Sequence, residues 1–275
     1  MSIVATTPSS DRRSDLRRFW ALTWVLAVTA WKLRFYGSAL GYVWSLARPF
    51  MLFGVIYLVF VEFANLGEGV PHFAVYILFA MVLFQFFGEV TTGCLTSLVA
   101  REGLLRKIKF PRLVIPMSVA LTALFNLGTT LLAVILFALA SGVYPTWSWL
   151  QLPLIVAILT FFAVGLGMLL SALFVRYRDV QPIWEVATQA LFYASPVLYV
   201  TTLVPASFQR AYVANPIAAL FAQMRHAVLD PGAPTAWEAI GGAERLLIPA
   251  AIVLGSFVLG WWVFKREAPR IAENL

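Results

Sequence analysis

Six stretches of the chain are apolar enough to cross a bilayer, near residues 40–63, 73–95, 114–140, 150–175, 183–202 and 246–264. A hydrocarbon core is about 30 Å thick and a helix rises about 1.5 Å per residue, so about 20 mostly apolar residues span it. Composition agrees. Hydrophobic residues make up 61% of the 275 and charged residues 12%, against roughly 45–50% and 25% in soluble domains. Such a chain cannot cover itself with polar groups. A disordered chain is excluded, and no large soluble domain fits between the spans. The predicted fold class is all-α integral membrane with six transmembrane helices. Pro49 and Pro196 fall inside the first and fifth spans, where a missing N–H predicts kinks.

Two further apolar stretches are too short to cross. Trp20 to Ala30 is flanked by Arg12, Arg13, Arg17 and Arg18 on one side and by Lys32 and Arg34 on the other. Leu16, Trp20, Trp24, Ala27 and Trp31 recur at helical spacing and form one face. Three tryptophans on a face with basic flanks read as a helix lying in the membrane interface; the alternative is a short buried helix packed on the spans. Ile217 to Leu229 starts after Asn215-Pro216 and stops at Asp230-Pro231-Gly232, which reads as a re-entrant or interfacial segment.

The basic residues set the topology. All of the 20 lysines and arginines except Arg48, Arg210, Arg225 and Arg245 fall in one set of connections. The positive-inside rule makes that set cytoplasmic and puts both termini there, which fits an even number of spans. Residues 1–19 lack the apolar core of a signal peptide, so the chain is predicted to start in the cytoplasm. The net charge of +7 follows membrane sidedness and calls for no nucleic acid.

Recognisable reaction chemistry is missing. The four lysines follow Trp31, Arg106, Ile108 and Phe264 and never glycine, so the chain has no P-loop. It has no His-Glu-x-x-His and no Gly-x-Ser-x-Gly. Cys94 is the single cysteine, and His72 and His226 stand far apart, so no metal site is predicted. Glu89 and Glu185 lie at or near span depth. Each is a functional candidate, such as a proton carrier, or a structural group: Glu185 reaching the interface, Glu89 pairing across a subunit boundary.

Three patches on the basic side carry more information. Residues 36–49 (YGSALGYVWSLARP) lead into the first span, with Gly37 and Gly41 four apart as a close-packing face. Residues 101–116 (REGLLRKIKFPRLVIP) put Leu104, Leu105 and Ile108 on one side of a short amphipathic segment. Residues 174–180 (FVRYRDV) form a charged turn. In this order and spacing they resemble the membrane subunit of type-2 ABC exporters of polysaccharides and polyol phosphates, the family of O-antigen, teichoic acid, capsule and galactan permeases. The resemblance runs from about residue 15 to 265 and includes the Asn215-Pro216 segment. Arg48 departs from it, because many relatives have a small polar residue there.

The resemblance implies residues 1–36 as a cytoplasmic N-terminus and interfacial gate helix, and residues 37–275 as a six-span domain. A coupling helix is expected near 101–108 and a re-entrant segment near 204–232. It implies a homodimer carried on two copies of an ATP-binding subunit, which hold ATP and magnesium; this chain itself is expected to bind no cofactor. Glu102, Gly103, Leu104, Leu105, Arg106 and Lys107 are the expected docking residues, with the leucines as anchors and the charges as a polar rim. The implied substrate is a glycan on a polyprenyl diphosphate, or a related phosphate-linked lipid, in the membrane lipid. Guanidinium groups bind phosphate bidentately, which singles out Arg34, Arg48 and Arg178. Arg34 reads alternatively as snorkelling to lipid headgroups, and Arg178 with Asp179 as a local pair. Tyr193 and Tyr199 are candidates for the glycan path, or ordinary packing. Trp147 and Trp149 are expected in the outer aromatic belt and Trp261 and Trp262 in the inner.

No catalytic residue is expected. The rival readings are a type-2 permease for another lipid or drug, a proton-coupled carrier, and a membrane enzyme acting on a lipid-linked sugar.

Overall fold

A computed structural model describes residues 12–36, 41–103, 110–205, 208, 212 and 214–267. The described residues are helical, with no strand among them. The principal helices are α1 (Arg12–Phe35), α2 (Gly41–Ile56), α3 (Phe73–Ala100), α4 (Val114–Ala140), α5 (Gln151–Arg176), α6 (Val180–Ala194), α7 (Pro216–Met224), α8 (Ala236–Ile240) and α9 (Leu247–Glu267). Wider-wound turns extend α2 through Tyr57–Phe63 and α7 through Arg225–Leu229.

The centre of the molecule is α3. Tyr76, Phe79, Phe87 and Leu83 are fully buried along it, and it packs against α4 and α5, while α9 packs on the far side of α5. Glycines set the close approaches. A Cβ at Gly165 of α5 would lie 2.6 Å from the Phe257 Cα of α9, so only glycine lets these backbones meet. The turn before α3 needs Gly67, whose φ is +91° and where a side chain would run into the Phe73 ring.

Five segments are long and apolar enough to cross a membrane: Leu46–Phe63, Phe73–Ala100, Val114–Ala140, Trp147–Arg176 and Ala243–Glu267. These match five of the six predicted spans. The predicted fifth span, 183–202, is different. Its helix α6 has 15 residues, about 22 Å at 1.5 Å per residue and too short for a bilayer core. Pro196 ends the helix where a kink was expected. The residue before a proline is forced out of the helical region, and Ser195 is extended, with ψ 154°.

The chain then runs on irregularly but buried through Val197 and Leu198. Its freed carbonyls find partners. The buried Tyr76 hydroxyl donates to the Pro196 carbonyl, and to that of Tyr199 at 3.3 Å. Asn215 closes the junction from below. Its Nδ2 donates to the Ser195 hydroxyl at 2.8 Å and to the last carbonyl of α6 at 3.4 Å. Its Oδ1 accepts from the Ile217 N–H at 3.0 Å and caps α7. The Asn215-Pro216 start and the Asp230 stop of this short apolar helix fall where the sequence places them.

Pro49, by contrast, sits inside α2 without interrupting it. Among the described residues nothing packs closely on Gly41: a Cβ there would meet no atom within 4 Å. Gly37, the other member of that face, lies outside the described residues.

Candidate functional site

Helix α1 lies against α4 along its second half. Thr23 and Ala27 are buried there, the Thr122 hydroxyl donates to the Ala27 carbonyl at 3.3 Å, and Trp24 and Trp31 meet Phe125 edge-on. The predicted apolar stripe therefore divides. Ala27 faces protein, while Leu16, Trp20 and Trp24 remain more than half exposed, Trp24 touching α4 edge-on at Phe125. Exposed tryptophans on a helix with a basic N-terminal flank suit the membrane interface.

The end of α1 brings Arg34 to Glu89 of α3, and the two form an ion pair. Glu89 lies 11 residues before Ala100, about 16 Å along the helix axis. It is thus at membrane depth within its span. The partner expected across a subunit boundary is in the same chain. Glu89 also accepts a 2.5 Å hydrogen bond from the Asn126 amide of α4, while Asn126 Oδ1 is buried without a partner.

Around this pair is a cavity of about 210 Å³. Arg34 lines it from α1, Trp44 and Arg48 from α2, Gln85 and Glu89 from α3, and Asn126 and Thr130 from α4. Arg48 is exposed to the cavity side and makes no hydrogen bond or ion pair among the described residues. Two guanidinium groups therefore face one carboxylate in a small polar space inside an apolar bundle. Such a balance favours an incoming anion. The volume is below the roughly 300–1,000 Å³ of sites that engulf a drug-sized ligand, so the space suits a charged head group and excludes a sugar chain.

Of the residues singled out in the sequence, Arg34 and Arg48 meet here. Arg178 does not. It is exposed at the turn before α6, with its guanidinium 4.9 Å from the Phe174 ring centre; no ion pair joins it to Asp179 among the described residues. Glu185 is exposed and accepts from Gln181 one turn earlier at 3.1 Å.

Tyr199 lines a second cavity, of about 840 Å³, near the end of α6, together with Tyr212, Phe208 and Asn215. Tyr193 is exposed at the end of α6, and its carbonyl accepts from the Tyr199 hydroxyl at 3.2 Å. At the other end of the bundle, Arg101 donates to the Ser118 hydroxyl at 2.6 Å and fastens the end of α3 to the start of α4. Glu102 and Gly103 follow, half-buried and exposed. Leu104, Leu105, Arg106 and Lys107 lie outside the described residues.

Gln85 and Asn126 were not singled out in the sequence. Each is a lone carboxamide in an otherwise apolar span, and that was the available signal. Arg225 was counted only as a loop charge. It is buried on the turn after α7, 3.6 Å from Asp230, with its Nε and Nη1 lacking hydrogen-bond partners.

These features define a multi-pass helical membrane protein with an anion-favouring pocket inside the bundle. The profile of the ABC-2 type transporter family matches residues 21–229, most of the chain, and the chain belongs to that family. It is a transport subunit, the non-catalytic membrane component, and permeases of this family pair with an ATP-binding subunit.

Among curated proteins it is similar to an O-antigen export system permease protein RfbA of Klebsiella pneumoniae. The two are 28% identical over 245 residues, covering 89% of this chain and 91% of that protein. A permease of the same name from Myxococcus xanthus is 29% identical over 116 residues, covering 42% of this chain and 44% of the relative.

Proposed function

We propose that the chain is the transmembrane permease of an ATP-driven exporter that moves a lipid-linked polysaccharide across the bacterial cytoplasmic membrane. Two copies form the path, and two ATP-binding subunits dock beneath them through residues 101–108. Both termini face the cytoplasm, which requires α6 and the buried stretch after it to complete a sixth crossing together. ATP and magnesium belong to the partner subunit, and this chain holds no cofactor. The observation that carries the reading is the pocket where Arg34 and Arg48 converge at membrane depth beside α1. A phosphate on a polyprenyl carrier enters between the two guanidinium groups, while its glycan stays outside so small a space and its isoprenoid tail stays in lipid. The distant similarity to O-antigen export permeases supports the same substrate class.

The test is to purify the tagged chain gently with its co-purifying proteins and measure ATPase activity in vesicles with and without a polyprenyl-linked glycan. The expected result is one P-loop partner at equal stoichiometry, released by reversing the charges of Glu102 and Lys107. The glycan should stimulate ATP hydrolysis, and Arg48→Ala should abolish that stimulation. A complex that hydrolyses ATP at the same rate with and without the glycan, and is indifferent to Arg48→Ala, overturns the substrate reading. That outcome favours a permease for another lipid.

A further inference from the structure

Arg34 is not free to receive a ligand as the pocket stands, because Glu89 already holds it. The arrangement is built from three helices. Arg34 comes from α1, Glu89 from α3, and Asn126 of α4 holds the same carboxylate oxygen from the other side. Arg48 of α2 faces the same cavity with no ion-pair partner among the described residues. The site thus offers one engaged and one unengaged guanidinium. The Arg34 side chain keeps 48% of its exposure, so a head group reaches it without the helices parting.

The consequence concerns which anions enter. The bilayer around such a pocket is full of phosphodiester head groups, each carrying one negative charge. A phosphodiester that takes Arg34 exchanges one monoanion for another. It breaks a charge-assisted hydrogen bond already formed and leaves Glu89 unpaired beside a second anion, which is unfavourable at low dielectric. A phosphate monoester or a diphosphate carries more charge and more oxygens. It engages Arg34 and Arg48 together, and the second contact offsets the loss of the first. Asn126 then keeps one hydrogen bond to the displaced carboxylate.

We propose that Glu89 is a specificity-determining residue: a resident carboxylate that occupies Arg34 until a multiply charged lipid phosphate displaces it, and so denies ordinary phosphodiester lipids the grip of both arginines. The proposal rests on the reading of Arg34 and Arg48 as the pair that takes the substrate's phosphate.

The test uses the full-length chain in nanodiscs and a short polyprenyl probe, geranylgeranyl diphosphate. Its affinity is measured first in phosphatidylcholine and then with part of the lipid replaced by phosphatidylglycerol, a monoanionic phosphodiester. For the unaltered chain the two affinities should agree within about twofold. For Glu89→Gln the probe should bind about tenfold more weakly in the phosphatidylglycerol discs than in phosphatidylcholine, the size of one charge-assisted hydrogen bond. Glu89→Asp keeps the charge but withdraws it by one methylene. It should show the same change in smaller measure, and it serves if the glutamine variant fails to assemble. Arg34→Ala and Arg48→Ala should each weaken the probe about tenfold or more in either lipid.

The outcomes separate the two ideas. If the arginine variants weaken binding but both Glu89 variants discriminate as the unaltered chain does, Glu89 has no part in selection and the phosphate reading stands. If Glu89→Gln strengthens binding equally in both lipids, the carboxylate contributes only bulk charge and the selectivity role fails. If the arginine variants bind normally, the phosphate reading and the role of Glu89 both fail.

Discussion

Replacing Gly165 with alanine tests the packing of the bundle most directly. A Cβ at this position lies 2.6 Å from the Phe257 Cα and 2.8 Å from its backbone nitrogen, whereas ordinary contact begins at 3.4 Å. Backbone atoms cannot swing aside, so α5 and α9 must separate locally by about 0.8 Å, the shortfall from 3.4 Å. A gap of that size forfeits about a quarter to a half of each contact's attraction, and a buried side chain makes about 40 contacts of about 0.1–0.2 kcal/mol. The stacked Phe161–Phe257 pair, with ring centres 3.9 Å apart, sits at this crossing. The resulting loss is about 2 kcal/mol, against up to about 1 kcal/mol returned by alanine's helical preference. The melting temperature should therefore fall by roughly 2–8 °C. Gly255→Ala, on α9 where a Cβ meets nothing within 4 Å, should leave it unchanged or raise it. A thiol-reactive dye provides the assay, because Cys94 is the single cysteine and is fully buried until the bundle opens. Equal melting temperatures for the two variants would refute the close crossing of α5 and α9.

Tyr76→Phe removes the donor to the Pro196 and Tyr199 carbonyls. Leaving buried carbonyls unsatisfied costs about 1–3 kcal/mol, so the same dye assay should register a lower melting temperature. An unchanged value would mean that water or another donor replaces the hydroxyl. Asn215→Ala removes the cap of α7 and the tie to α6 at once and should cost about 1–2 kcal/mol. Hydrogen exchange should speed up on both sides of the junction, and acceleration confined to α7 would contradict the tie. The Thr235 hydroxyl and backbone N–H hold the Glu238 carboxyl below its ordinary value of 4.5. A depressed value in the folded state stabilises the α8 start above that ordinary value, and the contribution is lost as pH falls through the lower, folded value. Exchange protection of Ala236–Ile240, corrected for intrinsic rates, should therefore drop on acidification, and Glu238→Gln should remove that pH dependence.

Much of the architecture was legible because apolar length is a property of composition. Five spans and the short helix that begins at Asn215-Pro216 follow from runs of apolar residues and from local stop signals, which need no tertiary information. Pro196 shows the limit. Its rigid φ announces a disturbance, but whether a helix kinks or ends depends on which donors reach the freed carbonyls. Here Tyr76, 120 residues away in sequence, and Asn215 make ending the helix affordable in hydrogen bonds. Gly41 shows another limit: glycine spacing announces close approach only if a second helix is actually there. Arg178 was misplaced because a basic residue at a membrane rim has many possible partners, and a nearby Phe174 ring is one that sequence does not reveal.

The pocket combines both kinds of information. Arg34 and Arg48 were readable as candidates for phosphate by chemistry alone, yet only the fold shows that they share a cavity. Glu89 was readable as a costly intramembrane charge, but its role depends on Arg34 arriving from a helix 55 residues earlier in the chain. A lone glutamate at that depth would be expensive to keep. Paired with Arg34 and held by Asn126, it fastens the end of α1 to the span bundle. Nearer the N-terminus of α1, Leu16 and Trp20 are exposed. A ligand that takes Arg34 from Glu89 therefore loosens one of the polar ties between α1 and the bundle. If Arg34 receives the head group as proposed, recognition and the freedom of α1 become properties of the same ion pair.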